Sequence, residues 1–287
     1  MNQAKMSRNR KDLDFKEYFE KKFISTAKTY KLLSKKDRIA VAFSGGKDSS
    51  VALYLAAKYF PDVTAVAIDE GITGYRDSAL ENAREFCRRN KIKLSEYSFK
   101  KEFGMEVSEI IKKTGGRPCT TCGILRRWIL NKKLSAYDKI VTGHNMDDEA
   151  EAIMMNLIRA NLSDLAKLGP ITGARREKGF VPRVKPLYLL SEEEVVRYAK
   201  ISGITVLEKR CPYRKDAFRL FLRNSLEELE KKMPGAKEKI VRNHIKTLPK
   251  IRAQFKESAR LTHCIKCGEP SSGEICRACA ILSKIKN

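Results

Sequence analysis

A glycine-rich turn, Ser44-Gly45-Gly46-Lys47-Asp48-Ser49, stands between a β-branched run ending at Phe43 and an apolar-periodic run beginning at Ser49, and it constrains the fold more tightly than any other segment. Strand, tight turn and helix N-terminus in succession aim several backbone N–H groups and the positive end of a helix dipole at one point, which makes an anion cradle. Ala42 and Phe43 lead into it. Gly45 and Gly46 let the backbone approach phosphate oxygens, Ser44 and Ser49 add hydroxyl donors, and Lys47 adds charge. The turn is not a Walker A loop, because Val41 stands where the first glycine of that motif belongs and Asp48 where a Ser or Thr must follow the lysine. Asp48 would repel a phosphate unless a cation bridged the two, so Mg2+ held between Asp48 and pyrophosphate oxygens is the physical resolution.

Around this turn, short β-branched runs alternate with helical stretches. Arg38–Phe43, Val63–Asp69, Lys91–Tyr97 and Lys139–Thr142 read as strands, and Ser49–Tyr59, Arg76–Asn90, Glu102–Lys113, Cys122–Leu134 and Asp147–Ala160 as helices. The alternation predicts an α/β fold, a doubly wound parallel sheet with helices on both faces. The division expected is a helical lead-in over 1–36, a nucleotide-binding domain over 37–207, a helical extension over 208–258 and a small metal-binding module over 259–283. Gly169–Leu189 is punctuated by Gly and Pro like a long loop with a short extended piece, expected to close over the site, and a helix Ser191–Ser202 and a strand Ile204–Leu207 follow it. Charged helices over Lys215–Lys232 and Ala236–Lys256 come next, the second kinked or ended by Pro249.

Lys plus Arg number 59 against 35 Asp plus Glu, a net charge of +24 that points to a polyanionic partner. No apolar run is long enough to cross a bilayer. The polar stretch Met1–Lys11 lacks the apolar core of a signal peptide, so the eight cysteines are expected to be reduced, in a cytoplasmic chain. Cys87, inside a helical stretch, reads as an ordinary buried small hydrophobe.

The other seven cysteines carry chemistry. Cys264 and Cys267, then Cys276 and Cys279, have the spacing of two CxxC turns that complete a tetrahedral Zn2+ site with four thiolates; His263 is a redundant substitute. With no open position this zinc is structural. Cys119 and Cys122, in Arg117-Pro118-Cys119-Thr120-Thr121-Cys122-Gly123, lie at a helix start beside Arg126 and Arg127, where a dipole and cations lower thiol pKa and favour thiolate. A third thiol, Cys211, stands in Cys211-Pro212-Tyr213. Three thiolates serve as a redox site or hold an iron–sulfur cluster one ligand short of the usual four, and a lone CxxC as half a zinc site is the blander alternative. His144 reads as packing or nucleotide contact rather than as a general base.

Ser-Gly-Gly-Lys-Asp-Ser resembles the PP-loop of the N-type ATP pyrophosphatases. The further order of Pro-Cys-x-x-Cys-Gly-x-x-Arg-Arg, Thr142-Gly143-His144-Asn145-Met146-Asp147-Asp148, Val181-Pro182-Arg183-Val184-Lys185-Pro186, Cys211-Pro212-Tyr213 and the Cys-rich tail resembles the tRNA 2-thiouridine synthetases of the TtuA and cytosolic-thiouridylase type. That resemblance spans Arg38 to Cys279. It implies an ATP-dependent tRNA-uridine 2-sulfurtransferase that adenylates the C2 oxygen and replaces it with sulfur. It further implies a [4Fe-4S] cluster on Cys119, Cys122 and Cys211, with sulfur on its unique iron or as a persulfide on Cys119 or Cys122. ATP contacts would come from the PP-loop, Ile68, Arg126 and Gly143, and the site acid would be Asp148, with Asp147 the alternative. ATP, Mg2+, the cluster and Zn2+ are the implied cofactors; tRNA, a sulfur donor (a thiocarboxylated ubiquitin-like protein or sulfide) and a second copy of the chain are the implied partners. The chain departs from many relatives at its start, where no cysteine precedes Cys87 to build an N-terminal zinc finger. Competing readings are another PP-loop tRNA enzyme, thiolating cytidine or making lysidine, and an inactive zinc-ribbon RNA-binding protein.

Overall fold

The computed structural model describes residues 2–173, 180–205, 211–213, 217–255 and 262–286. After the helix α1 (Asn2–Thr29) come β1 (Ile39–Ala42), α2 (Lys47–Tyr59), β2 (Val63–Asp69), α3 (Arg76–Arg89) and β3 (Lys93–Ser98). Next are α4 (Phe99–Phe103), α5 (Val107–Thr114), α6 (Pro118–Lys133), β4 (Lys139–Val141), α7 (Met146–Ile158), α8 (Leu162–Leu165), β5 (Ile171–Thr172) and β6 (Arg183–Val184). The helices α9 (Glu192–Ile201), α10 (Ala217–Lys232) and α11 (Ala236–Gln254) lead to a tail of β7 (Thr262–His263), β8 (Pro270–Ser271) and α12 (Arg277–Lys286).

The main sheet has the order β3-β2-β1-β4-β6-β5, parallel except for β5, which runs antiparallel to β6. Successive residues of β1 face opposite cores. Ile39 and Val41 join Phe19, Phe23, Val51 and Leu55 on one face, while Ala40 joins Leu125, Ile129 and Ile140 on the other. The chain winds from β1 outward to β3 and then returns to the far side of β1 as β4. The loops after β1 and β4 therefore part in opposite directions, and the crevice between them is where an open α/β sheet takes its ligand.

Several expectations need correction. The helix expected over 102–113 is two, α4 and α5, because Gly104 ends the first in the left-handed conformation at φ 76°. In α1, Phe19 stacks on Tyr198 of α9 at 4.3 Å and both are fully buried. The short extended piece expected within 169–189 is β6, which pairs with β4. Ile204 and Thr205 form no strand, and 206–207 lie outside the described residues, as does the expected boundary near 207. Pro249 sits inside α11 rather than ending it. Cys87 is buried as expected. No helix among the described residues is long and apolar enough to cross a membrane.

Candidate active site

The PP-loop joins β1 to α2, whose N-cap is Gly46 with no side chain accepting from the first turn. The amides of that turn therefore face the crevice free for an anion. Gly45 has φ 82°, and a Cβ there would lie 3.0 Å from the Ala79 carbonyl oxygen. The hydroxyls of Ser44 and Ser49 lie 3.0 Å apart, and Ser49 donates to the Gly46 carbonyl at 2.9 Å. Across the crevice Gly143, just past β4, presses on the start of α2 so closely that a Cβ would stand 2.6 Å from the Ser49 nitrogen. Any side chain at 143 would push the two loops apart. Ile68 is buried at the end of β2, which leaves its backbone to reach the crevice.

Asp48 is the focus of this wall. Its carboxylate accepts from the Asn145 amide at 2.9 Å and from Lys47 at 2.9 Å. Burial raises its pKa despite Lys47, and the negative charge of Asp148 adds to the rise. A divalent cation would reverse both effects, so the donor set fits Mg2+. Lys47 also pairs with Glu192 at the start of α9, at 2.7 Å.

The first two turns of α7 carry four acids, three of them in the first turn, each with a basic partner from later in the chain. Asp147 is held by Lys237 of α11 at 2.6 Å and accepts from the Glu192 amide at 2.7 Å. Glu149 is met by Lys185, and Glu151 by Arg219 and Arg223 of α10, each at 2.6 Å. Asp148 caps Asn145 and pairs with Arg219 at 3.0 Å; burial raises its pKa. The two acids left open by the sequence thus differ in surroundings, since Asp147 braces α9 and α11 while Asp148 acts electrostatically on Asp48. His144 bonds Thr142 at 2.9 Å, and desolvation with Lys185, Arg219 and Arg126 nearby pushes its pKa down to about 3, so it is neutral at pH 7.

At the other end of the crevice, α6 begins at Pro118, so Cys119 and Cys122 stand one turn apart inside the helix rather than ahead of it. The Cys119 sulfur donates to the Tyr213 carbonyl at 3.3 Å, which brings the Cys211-Pro212-Tyr213 segment onto α6. Cys122 is influenced by Cys211, Cys119, Arg126 and Glu70 together. The expectation of a thiolate at Cys122 is corrected: burial outweighs the helix terminus and Arg126 and pushes its thiol up to about 12. Among the described residues, only the tail cysteines form a group of ligand atoms all within 4.8 Å of one another. The three site thiols are therefore spread wider than a single ion accepts, and a cluster, whose irons are themselves separated, suits them better than half a zinc site.

Glu70, which sequence reasoning missed, connects the two ends. Buried just after β2, it pairs with Arg76 at 3.0 Å and Arg126 at 3.2 Å, and Arg76 donates to the Ser44 carbonyl at 3.2 Å. Asn145 was legible in principle, because Asn followed three residues later by Asp at a helix start is a capping signature. Nothing in the sequence marked Glu70, Glu192 or Arg219.

The tail closes on itself and on α6. The Cys276 amide donates to the Cys264 sulfur at 3.2 Å and the Cys279 amide to Cys276 at 3.4 Å. Although burial resists it, backbone donors from Cys276, Lys266 and Cys267 hold Cys264 down at about 6, a sulfur ready to bind a cation. All four sulfurs fit Zn2+, and His263 is outside the group. Trp128 of α6, the chain's only tryptophan, donates its indole N–H to the Cys267 sulfur at 3.5 Å. Cys276→Ser should therefore lower bound zinc to well below one per chain and shift Trp128 emission to the red, while ATP binding persists. Elemental analysis and fluorescence check this, and unchanged zinc would refute the four-cysteine site.

A family model described as a PP-loop domain matches residues 15–230. The chain is similar to the tRNA-5-methyluridine(54) 2-sulfurtransferase of Pyrococcus horikoshii, 40% identical over 267 residues that cover 92% of this chain and 84% of the relative. It is similar to the cytoplasmic tRNA 2-thiolation protein 1 of Oryza sativa subsp. japonica, 34% identical over 273 residues covering 92% of this chain and 74% of the relative. Among solved structures, the U34-tRNA thiolase NcsA from Methanococcus maripaludis with its [4Fe-4S] cluster matches at a TM-score of 0.79 and 32% identity, covering 96% of this chain and 89% of that one.

Proposed function

The chain belongs to the PP-loop family of tRNA 2-thiolation sulfurtransferases, and on that premise we propose that it is an ATP-dependent tRNA-uridine 2-sulfurtransferase whose reaction runs along the crevice from Asp48 to the three cysteines. The observation that carries this reading is the Arg76–Glu70–Arg126 relay, which ties the PP-loop to the helix bearing Cys119 and Cys122. A lysidine synthetase would have no use for those thiols, and an inactive scaffold none for Asp48.

The backbone from Ala42 to Ser49 and the Ser44 and Ser49 hydroxyls hold the triphosphate. Lys47 exchanges Glu192 for a phosphate oxygen, and Asp48 would hold Mg2+. The Ile68 backbone and the flat face of Gly143 take the adenosine. The uridine C2 oxygen attacks the α-phosphorus, and pyrophosphate leaves. Asp148 accepts the N3 proton as that oxygen becomes the nucleophile, a role suited to a carboxyl whose pKa burial has raised. Arg126 steadies the α-phosphoryl charge; hydrosulfide then adds at C2 through a lone pair, the C2–O bond breaks so that AMP leaves with the oxygen, and the proton on sulfur passes to N3. The cluster that Cys119, Cys122 and Cys211 would hold supplies an iron position open to sulfide; the Zn2+ on Cys264, Cys267, Cys276 and Cys279 is structural. The donor is sulfide or a thiocarboxylated ubiquitin-like protein, the setting is cytoplasmic, and a second copy of the chain completes a homodimer. Residues 37–207 serve as the adenylating domain, with 1–36, 208–258 and 259–283 as its lead-in, extension and zinc module.

The relatives are named for different targets, uridine 54 in one and uridine 34 in another. Anaerobic protein given unmodified tRNA, ATP, Mg2+ and sulfide should produce 2-thiouridine, and mass spectrometry of nuclease fragments should map it to one position. Pyrophosphate release without thiolated uridine, or lysidine in its place, would overturn the reading.

A further inference from the structure

Three arginines meet beside the cysteine site without an acid among them. Arg127 lies on the exposed side of α6, five residues beyond Cys122, with its guanidinium folded back over Gly123, where a Cβ would be 3.4 Å from Nη1. Arg183 comes from β6, donating to the Arg127 carbonyl at 3.3 Å and to Asn131 at 2.6 Å, while its Nε is buried with no partner. Arg277 is the first residue of α12, which packs on α5 and α6 and so brings the zinc module's charge to the same place.

Many other arginines are met by an acid, Arg84 by Glu96, Arg88 and Arg89 by Glu85, Arg219 and Arg223 by Glu151, Arg242 by Glu238, while Arg159 lies over the Phe218 ring and Arg252 donates to the Ala166 and Leu168 carbonyls. Among the described residues, none of Arg127, Arg183 or Arg277 has a carboxylate within ion-pair distance. Asp164, which feels Arg277, is already taken by Lys167 at 2.7 Å. The arginines also act on one another: desolvation with Arg126 and Arg277 lowers Arg127, and burial with Arg127 lowers Arg183 to about 10. Three elements holding like charges together, one with an unanswered buried donor, leave a position that an anion would relieve.

We infer that Arg127, Arg183 and Arg277 form a binding site for the phosphodiester backbone of RNA, on the flank of the crevice where the strand carrying the target uridine must pass. Planar guanidinium forks match phosphate oxygens in pairs, and the exposed edges of Arg127 and Arg277 leave room for a chain rather than for an enclosed small ion. The site gives the zinc module a task beyond its own folding, because α12 delivers one of the three charges. The inference rests on tRNA being the substrate, and it adds where the backbone is gripped.

The test is tRNA binding by the zinc-loaded full chain as a function of salt, for wild type, Arg127→Gln, Arg277→Gln, the Arg127→Gln/Arg183→Gln/Arg277→Gln triple variant, and Lys246→Gln on α11 as a control. Each lost phosphate contact lowers the slope of log K against log salt by about 0.7 to 0.9, so the triple variant should lose roughly 2 units of slope and bind on the order of tenfold more weakly or worse. ATP affinity and bound zinc should be unchanged, and Lys246→Gln should behave as wild type. Arg127→Gln and Arg277→Gln, both exposed, keep the test valid if loss of Arg183 disturbs folding. Wild-type affinity and slope in both single variants would overturn the site while leaving the sulfurtransferase reading intact. Wild-type protein that binds tRNA no better than an unrelated polyanion would overturn that reading, and with it this one.

Discussion

Asp48→Ala is expected to cut tRNA-dependent pyrophosphate release by about a thousandfold, the equivalent of roughly 4 kcal/mol of transition-state stabilisation. The direction is the informative part. The substitution removes a negative charge from a pocket built for a polyanion and frees Lys47 from its 2.9 Å partner, so charge counting alone forecasts tighter ATP binding and retained turnover. If the carboxylate instead serves as the ligand for Mg2+, activity falls whatever happens to ATP affinity. The raised pKa of Asp48 adds a second signature, because protonation removes the metal ligand. Activity should decline on the acid side at a higher pH than an ordinary aspartate would impose, and that limb should move to lower pH as Mg2+ rises. Retained pyrophosphate release in Asp48→Ala would transfer the metal to another group.

What could be read ahead of the structure follows from how local each signal is. The PP-loop is legible because strand, turn and helix start are contiguous, and the same holds for the tail, whose four sulfurs fall within fifteen residues of one another. Cys119 and Cys122 were legible as a pair, but the ionisation of Cys122 was not. The helix terminus and Arg126 are local and visible, whereas the burial that outweighs them comes from the cluster that long-range packing builds around α6. Glu70 shows the limit most clearly. An acid after a β-strand is unremarkable in sequence, and its meaning depends on Arg76 and Arg126 converging from two helices. The acids of α7 were visible as a run, yet only the arrival of Arg219, Arg223 and Lys237 from α10 and α11 distinguishes Asp148 from Asp147.

Cys211→Ala should abolish thiolation and the oxygen-sensitive visible absorbance of the anaerobically purified protein together, while leaving ATP affinity within about twofold of wild type, since single changes far from a site act nearly independently of it. Cys211 is the discriminating choice because it lies outside any CxxC and comes to the start of α6 from far along the chain, beside the contact of Tyr213 with Cys119. If the sulfur instead travels as a persulfide, two cysteines suffice, iron is irrelevant, and Cys211→Ala keeps a substantial rate. The burial that pushes the Cys122 thiol up to about 12 disfavours a persulfide at that residue, since it begins from an attacking thiolate, whereas binding to iron deprotonates a thiol outright. Cys122→Ser sharpens the contrast by keeping a ligand of similar size with far weaker affinity for iron. Iron content and thiolation should fall in parallel across Cys119→Ala, Cys122→Ser and Cys211→Ala. Iron-free protein that thiolates at the wild-type rate would replace the three-cysteine cluster with the two-cysteine route, and leave the PP-loop chemistry at Asp48 untouched.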